Sequence, residues 1–406
     1  MSETKVAQTN SKKRQSERTL PATFYRSKDL YEESLDSIFA RSWQLVGRFN
    51  EGESFNLGLK PGMMESVTLL PGSLNEPLLL TRTQSVIALL DQNKQKNSKS
   101  KPDGNLQLEP QFNLTCLSNV CTHRGALLLE TGKEEAIPPQ GLRCRYHGRR
   151  FNCDGTFQSA PGFENVDNFP EEADHLKKIE IQNWGPFTFA SLNPACSFEE
   201  FIEPMRERLA FLDLDKLVYK PELSCEYDIE AHWALYVDNY LEGLHIPFVH
   251  PSLSAVLDLK NYRTELFAMG NLQLGAANSK ADTFDLPPQC PDFGQAMGAY
   301  YYYLFPNMMF NFYPWGLSLN IVAPTSHKTT KVYYRTFVLD PSRMQSYSPS
   351  DIKQTEMEDE DVVELVQKGI QSRVYKSGRY APVWEQGVRQ FHGLIAKFMD
   401  KNLALF

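Results

Sequence analysis

Two pairs of metal-binding side chains lie close together in the first half of the sequence. Cys121 and His123 form a Cys-x-His pair, and Cys144 and His147 form a Cys-x-x-His pair after an interval of twenty residues. Each pair offers two side chains to one point. A [2Fe–2S] cluster held by two cysteines on one iron and two histidines on the other is the Rieske arrangement. The spacing therefore predicts a Rieske-type [2Fe–2S] cluster on these four residues.

A structural zinc site is the alternative for the same residues. Zinc fingers usually pair cysteine with cysteine and histidine with histidine, whereas both pairs here are mixed. Gly125 and Gly148 follow the two pairs, where a tight metal-binding loop needs a permissive backbone. The spacing favours the iron–sulfur cluster over zinc. Cys116 and Cys153 flank the pairs but do not fit their spacing, so we expect them to be buried packing residues.

A second candidate metal site is encoded by the sequence VDNYLEGLHIPFVHP. His245 and His250 are five residues apart, which on an unbroken helix places them about 140° apart, too far round to bind one ion. Pro247 lies between them, and proline cannot donate to the helical hydrogen-bond ladder. We therefore predict a break in the helix that lets both histidines contact one ion.

The third ligand of such a site must be an acid from elsewhere, and one run offers five: Glu356, Glu358, Asp359, Glu360 and Asp361. At about 100° per residue, four apolar residues fall within roughly 60° of Asp359: Val362, Val363, Val366 and Ile370. Asp361 falls about 200° away, on the solvent face. A buried acid needs a partner such as a metal ion. We therefore predict that His245, His250 and Asp359 bind one mononuclear Fe(II), with free positions for O₂.

The segment CTHRGALLLETGK…GLRCRYHGRRFNCDGTF resembles the Rieske domain of ring-hydroxylating oxygenase alpha subunits. The family commonly has tryptophan after YHG, and Arg149 stands there in this chain. An aspartate at the head of a helix is also the family pattern, and it points to the same Asp359. The resemblance implies a β-rich Rieske domain followed by a helix-grip-like catalytic domain, an α+β fold.

Glu242 precedes His245 by three residues and can accept a hydrogen bond from its imidazole. In the resembling family an acidic residue at this position bridges to a Rieske histidine of the neighbouring subunit. The resemblance thus implies that Glu242 links His245 to His147 across the interface of a homotrimer, or a multiple of it. Asn239 belongs either to the same polar network or to the solvated surface.

The substrate is less well specified by the sequence. The run YYYLFPNMMFNFYPWGLSLNIV is dense in aromatic residues, which bind quaternary ammonium groups by cation–π attraction. Together with VQKGIQSRVYKSGRYAPVWEQGVRQFH, it resembles the branch of choline and glycine betaine monooxygenases. This implies hydroxylation or N-demethylation of a small substrate. The alternatives are an ordinary aromatic core, an aromatic ring-hydroxylating dioxygenase, and a Rieske electron-transfer protein without oxygenase activity.

The electron donor is expected to be a separate protein. The sequence has no GxGxxG fingerprint and no second ferredoxin-type set of cysteines. NAD(P)H therefore acts only indirectly, through another chain, a reductase or ferredoxin.

The elements that position these residues divide the chain into four parts. Residues 1–20 are predicted to be a disordered tail, 21–43 a helical segment on the catalytic domain, 44–165 the Rieske domain and 166–406 the catalytic domain. Leu30 to Trp43 has helical apolar spacing, as have 197–212, 233–245, 355–371 and 382–400. Strand-like runs occur before residue 165 and at 186–192, 222–230, 301–305, 317–323 and 330–339. The Lys-rich segment 92–111 is expected to be a surface loop.

Composition excludes several classes of function. A net charge of −8 argues against nucleic-acid binding, and no apolar run approaches the length of a membrane span. Seven sparse cysteines do not form a disulfide framework and fit a reducing cytoplasm. Residues 1–20 lack the apolar core of a secretory signal, and organellar targeting by them is the alternative to a disordered tail.

Overall fold

The computed structural model describes residues 18–47, 58–84, 112–344, 349–401 and 403. The predicted loop at 92–111 and residues 1–17 of the predicted tail lie outside the described residues. The helices are α1 (Ala22–Arg26), α2 (Lys28–Ser37), α3 (Phe198–Arg208), α4 (Trp233–Tyr240), α5 (Ile246–Val249), α6 (Pro251–Val256), α7 (Pro349–Ile370) and α8 (Gln386–Phe398). None of the helices in these ranges has the length and apolar character of a bilayer-spanning segment.

The strands before residue 192 form two sheets. They are β1 (Gln44–Val46), β2 (Met63–Leu69), β3 (Glu76–Gln84), β4 (Phe112–Ser118), β5 (Glu134–Ala136), β6 (Leu142–Arg143), β7 (Arg150–Phe151), β8 (Phe157–Ser159), β9 (Lys178–Trp184) and β10 (Phe187–Ser191). A seven-stranded sheet has the order β1-β10-β9-β4-β3-β2-β5, and β6, β7 and β8 form a small sheet of their own. Strands β9 and β10 pair with β4 and β1, so this sheet continues past the predicted boundary at residue 165. We propose that the first domain extends to about residue 191.

The second large sheet contains β11 (Val218–Tyr219), β12 (Cys225–Ile229), β13 (Arg263–Phe267), β14 (Gly270–Ala276), β15 (Met297–Leu304), β16 (Met308–Tyr313), β17 (Gly316–Pro324) and β18 (Thr330–Val338). It is antiparallel, in the order β11-β18-β17-β16-β15-β14-β13, with β12 also paired to β18. Four strands of this sheet were not predicted from the sequence, namely β11, β13, β14 and β16. One of them, β13, is a half-exposed edge strand with polar residues and lacks a continuous apolar run.

Alternation of side chains gives the second sheet two different buried faces. One face packs against the β9–β10 hairpin of the first sheet, where the Phe187 ring lies 5.6 Å from Phe310 and 5.3 Å from Phe337. The opposite face carries polar side chains in register, because Gln273 pairs with Tyr301 and Tyr301 pairs with Asn311. Buried polar side chains need hydrogen-bond partners, and Tyr240 of α4 donates to Asn311 Oδ1 on this face at 2.7 Å. This polar face is therefore the candidate for the functional side of the sheet.

Helices cover the polar face of the second sheet. Helix α8 packs through Phe391 and Phe398, whose rings lie 6.2 Å and 4.9 Å from Phe305. The N-terminal segment also contacts this side, since Phe39 lies edge-on to Trp233 of α4 at 4.9 Å. Its helix α2 ends at Ser37, before the predicted end at Trp43, and continues as a 3₁₀ turn that keeps the apolar side buried. The α+β prediction is confirmed.

Candidate metal centres

The two Cys/His pairs of the first domain lie on two loops with the same local geometry. Gly125 N donates to Cys121 O at 3.0 Å, and Gly148 N donates to Cys144 O at 3.1 Å. Both glycines have a left-handed backbone, with φ of +70° and +75°, which glycine adopts without the steric cost of a Cβ atom. Each loop therefore folds its cysteine and histidine toward one side through a locally encoded turn.

The loops bring the cysteines together and the histidines together, as two pairs. Cys121 and Cys144 are buried, while the rings of His123 and His147 meet at 4.7 Å with an interplanar angle of 62°. Within the described residues, no three of these four side chains bring their donor atoms within 4.8 Å of one another. One tetrahedral zinc would need all four donors around a single point. Two separate pairs fit the two irons of a [2Fe–2S] cluster.

The flanking cysteines differ from each other. Cys116 is buried, as predicted, and burial raises the pKa of its thiol to about 12. Cys153 is only partly buried, so the prediction that it is a buried packing residue is wrong. It lies in the exposed turn before β8, and its carbonyl accepts a hydrogen bond from Thr81 Oγ1 at 3.1 Å.

The two histidines of the second site stand at the two ends of a single helical turn. Helix α4 ends at Tyr240, and α5 runs only from Ile246 to Val249, so His245 is its N-cap and His250 its C-cap. The rings lie 5.1 Å apart. The predicted break exists, but Pro247 does not cause it by ending a helix. It occupies the first turn of α5, where a missing N–H costs nothing, and the chain breaks before His245 and at His250.

His245, His250 and Asp359 form the one group of three ligand side chains in the described residues whose donor atoms all lie within 4.8 Å of one another. His250 Nε2 is 2.9 Å from Asp359 Oδ1, and His245 Nε2 is 3.6 Å from the same oxygen. Two imidazoles and a carboxylate are the donors of open non-haem Fe(II) sites. The three donors therefore fit a mononuclear iron.

A second carboxylate holds each histidine by its other ring nitrogen. His245 Nδ1 lies 2.6 Å from Glu242 Oε1, and His250 Nδ1 lies 2.8 Å from Glu358 Oε2. These contacts place the proton on Nδ1 and leave the Nε2 lone pair for a metal. Burial lowers the pKa of His250, but its hydrogen bonds to the carboxylates of Asp359 and Glu358, together with their negative charges, outweigh burial and leave a raised pKa.

Glu358 was not singled out by the sequence analysis. Its position next to Asp359 placed it about 100° round the helix, which hid its contact with a histidine from another segment. The contact of Glu242 with the His245 imidazole was predicted. Glu242 lies in the loop after α4, and it also accepts hydrogen bonds from the backbone N–H of Leu244 and His245.

The position of Asp359 on α7 follows from the buried stripe of that helix. Ile352, Val363 and Ile370 are buried on this stripe, and the Asp359 side chain retains only 14% exposure. Asp361 is exposed. Val366 was predicted to face inward but is exposed, because Gln367 occupies the buried position in that turn of the helix.

Two side-chain hydrogen bonds connect α4 to α7 beside the site. Asn239 donates to Asp359 Oδ1, and one turn away Tyr236 donates to Glu356 Oε2 at 2.7 Å. Of the two readings for Asn239, the structure supports the one in which it joins the polar network. Glu356 also accepts from Asn320 at 3.3 Å. Its burial, reinforced by the charge of Asp359, raises its pKa to about 8.

A cavity opens next to α6, the helix that begins directly after His250. Its empty volume, including the solvent at its mouth, is about 440 Å³. Three aromatic rings line it: Tyr313 stacks on Trp315 at 5.2 Å, and Tyr301 meets Tyr313 edge-on at 5.9 Å. Asp282 and Arg343 add one charge of each sign. Most other rings of the predicted aromatic run, such as Tyr300 and Phe310, belong to the core.

Comparisons with known proteins cover both parts of the molecule. Residues 79–170 match the family model of the Rieske [2Fe-2S] domain. Residues 217–401 match the model of the ring hydroxylating alpha subunit, catalytic domain.

Similar proteins match along nearly the whole length. The chain is 27% identical to choline monooxygenase, chloroplastic, of Arabidopsis thaliana, over 93% of this chain and 82% of that protein. It is 25% identical to the carnitine monooxygenase oxygenase subunit of Escherichia coli K12, over 93% of each. The crystal structure of the quaternary ammonium Rieske monooxygenase CntA with an inhibitor superposes with a TM-score of 0.65 at 21% identity, covering 95% of this chain and 96% of that one.

Proposed function

The chain belongs to the Rieske-type ring-hydroxylating oxygenase alpha subunits, and we propose that it oxidises a small quaternary ammonium compound such as choline or glycine betaine. A Rieske [2Fe–2S] cluster and a mononuclear iron are the cofactors of such a protein. The observation that carries the substrate class is the cavity beside α6, which three aromatic residues line.

The chemistry of this cavity suits a small cation. Tyr301, Tyr313 and Trp315 line the cavity, and an aromatic ring attracts a cation over its face by about 0.5–2 kcal/mol. The carboxylate of Asp282 adds attraction for positive charge. Arg343 lines the same cavity and is paired with Asp285 at 3.0 Å.

We propose that Cys121, His123, Cys144 and His147 hold the cluster, and that the iron is held by His245, His250 and Asp359. When bound, this iron supplies the O₂-activating chemistry, with electrons delivered through the cluster. Glu242 and Glu358 keep the Nδ1 protons in place so that both Nε2 atoms face Asp359.

Assembly into a head-to-tail homotrimer, or a multiple of it, is part of the proposal. Around the cluster the surface exposes Tyr146 and His147 beside the basic Arg145. Around the iron site it exposes the apolar Phe248, 82% accessible, next to His245. Two different surface patches of one chain can form a head-to-tail contact that closes into a ring, which would bring His147 of one subunit to Glu242 of the next.

Replacing Glu242 by Gln tests this bridge. The amide keeps the volume but loses the charge that attracts a histidine N–H, so we expect slower oxidation of the reduced cluster in a single turnover with substrate and O₂. Glu358→Gln is the matched control, because it weakens the same kind of contact to His250 away from the bridge. Equal rates in the two variants at equal iron loading, or a fully active monomer by light scattering, would contradict the bridging role.

The substrate proposal is tested with the purified oxygenase, a flavin–iron–sulfur reductase and NADH. Choline, glycine betaine and carnitine are compared with benzoate and with a neutral isostere, 3,3-dimethylbutanol. We expect substrate-dependent O₂ uptake with matching product for at least one trimethylammonium compound and none for the isostere. Turnover of benzoate alone would identify an aromatic dioxygenase instead. Cluster reduction without O₂ uptake on any compound would identify an electron-transfer protein.

The compartment is proposed to be a reducing one, such as the cytoplasm. All seven cysteines are free thiols in the structure, and the cluster itself needs two of them as thiolates.

A further inference from the structure

Arg149 lies buried directly behind the cluster-binding loops, where tryptophan is common in the family. Its side chain is 3% exposed. One guanidinium nitrogen, Nη1, donates to Thr122 Oγ1 at 2.8 Å and to Asp174 Oδ1 at 3.1 Å. A buried arginine is costly unless its charge is paired and its donors are satisfied, so its presence here requires an explanation.

Three phenylalanine rings surround the guanidinium. Its central carbon lies 5.4 Å, 5.4 Å and 5.3 Å from the ring centroids of Phe157, Phe163 and Phe169. Cation–π contacts of this kind stabilise a desolvated arginine. Rings can hold the charge without neutralising it, and Nε remains a buried donor with no hydrogen-bond partner among the described residues. Asp174, 3.1 Å from Nη1, is thus the carboxylate that offsets the charge of Arg149, while the rings hold that charge in place without adding a counter-charge.

The same residue joins all the segments that shape the cluster site. Thr122 lies between Cys121 and His123, and Arg149 itself follows the second turn, where its carbonyl accepts from Cys144 N at 2.9 Å. Phe163, one of the three phenylalanines around the guanidinium, meets the His123 ring edge-on at 5.5 Å. Arg149 thus contacts the first turn, the second turn and the loop that covers them.

We propose that Arg149 is a positioning residue that holds the two cluster turns together and, through its buried charge, raises the reduction potential of the Rieske cluster. Reduction adds one electron to the cluster and makes it more negative, so a cation fixed nearby stabilises the reduced form. The electron comes from the separate reductase that the proposed function already requires. No bond is formed or broken in this step.

The inference rests on the proposed cluster ligands, and its test separates the two. The wild-type protein must first show the visible absorption and reduced-state electron paramagnetic resonance signal of a Rieske cluster, and their absence would contradict the ligand assignment itself. The midpoint potential of the loaded cluster is then measured by optical titration in Arg149→Met and in Arg145→Met. Arg145 is the matched control, since it adjoins Cys144 but is exposed and paired with Glu135 at 3.4 Å.

We expect a lower midpoint potential in Arg149→Met and almost no change in Arg145→Met. The shift in Arg149→Met should persist at high salt, because buried charges are screened much less than exposed ones. An unchanged potential in a fully loaded Arg149→Met cluster would overturn the electrostatic role.

Asp174→Asn provides a test of opposite sign that does not depend on the stability of the first variant. It removes the negative partner while Arg149 stays in place, so the potential should rise. Structural damage alone would not move the two variants in opposite directions. A potential that falls or stays constant in Asp174→Asn would overturn the proposal even if Arg149→Met fails to retain its cluster.

Discussion

The two metal centres are built in contrasting ways. The cluster site uses two short turns that lie 20-odd residues apart and repeat one local geometry, with Gly125 and Gly148 at positive φ. The mononuclear site draws two histidines from the ends of α5 and an aspartate more than a hundred residues later, on α7. The geometry of the cluster site is determined by local backbone conformation, whereas the mononuclear site forms only when α5 packs against α7. Substitutions should therefore damage the two centres independently.

Asp359→Ala should have the largest effect. It removes a proposed iron ligand, and loss of even an outer partner of a ligand costs about 10–100-fold, so turnover should fall by more than that. The cluster spectrum should not change. The control is Asp361→Ala, at an exposed position two residues away, which should keep most of the activity in the same assay. A silent Asp359→Ala would show that another acid of this run is the ligand.

Glu358→Gln should weaken the second centre to an intermediate degree. The neutral amide holds the Nδ1 proton of His250 more weakly than the carboxylate, and such outer partners contribute about 10–100-fold in metal affinity. Titration of iron-free protein with Fe(II) under argon measures the change. An affinity equal to that of the wild type would mean that the 2.8 Å contact does not orient the histidine.

The first centre should respond instead to backbone substitutions. Gly148→Ala forces a Cβ atom onto a left-handed backbone and should destabilise the loop by about 1–2 kcal/mol, seen as faster loss of cluster absorption under mild denaturant. Gly393→Ala is the control, since Gly393 lies in α8 with nothing within 4 Å of an added Cβ. There alanine should stabilise by about 0.5–1 kcal/mol. The same change in cluster stability in both variants would contradict a conformational requirement for glycine at position 148.

The smallest expected effect is on the pH dependence of stability, and it arises from the buried Glu356 beside Asp359. The pKa of Glu356 is raised to about 8, first by burial and then by the charge of Asp359. Since the folded state binds this proton more tightly, its stabilising contribution is complete below the ordinary glutamate pKa and is lost as pH rises through about 8. Glu356→Gln should therefore show a smaller drop in Tm between about pH 5 and about pH 9. An unchanged drop would indicate that Glu356 is ionised throughout.

The contrast between the centres also explains what the sequence could predict. The proposed cluster ligands were predicted from local spacing, because each turn and its candidate ligands lie within a few consecutive residues. His245 and His250 were predicted in the same way. The break between them was wrongly attributed to Pro247, because proline is common both in the first turn of a helix and just after a helix ends. The contact of Glu358 with His250 depends on how α5 meets α7, and no local pattern encodes it.

Arg149 marks the same limit within the first centre. Its identity was visible in the sequence as a departure from tryptophan, yet the rings and the aspartate that hold its charge come from residues 157–174, folded back across the turns. Spacing alone gave no reason to bring them together.

Iron content per chain tests the existence of two separate centres most directly. Protein with fully loaded sites should contain about three irons per chain, two in the cluster and one in the mononuclear site. Asp359→Ala should retain about two irons with an unchanged cluster spectrum. A wild-type ratio of about two together with full turnover would contradict the mononuclear centre.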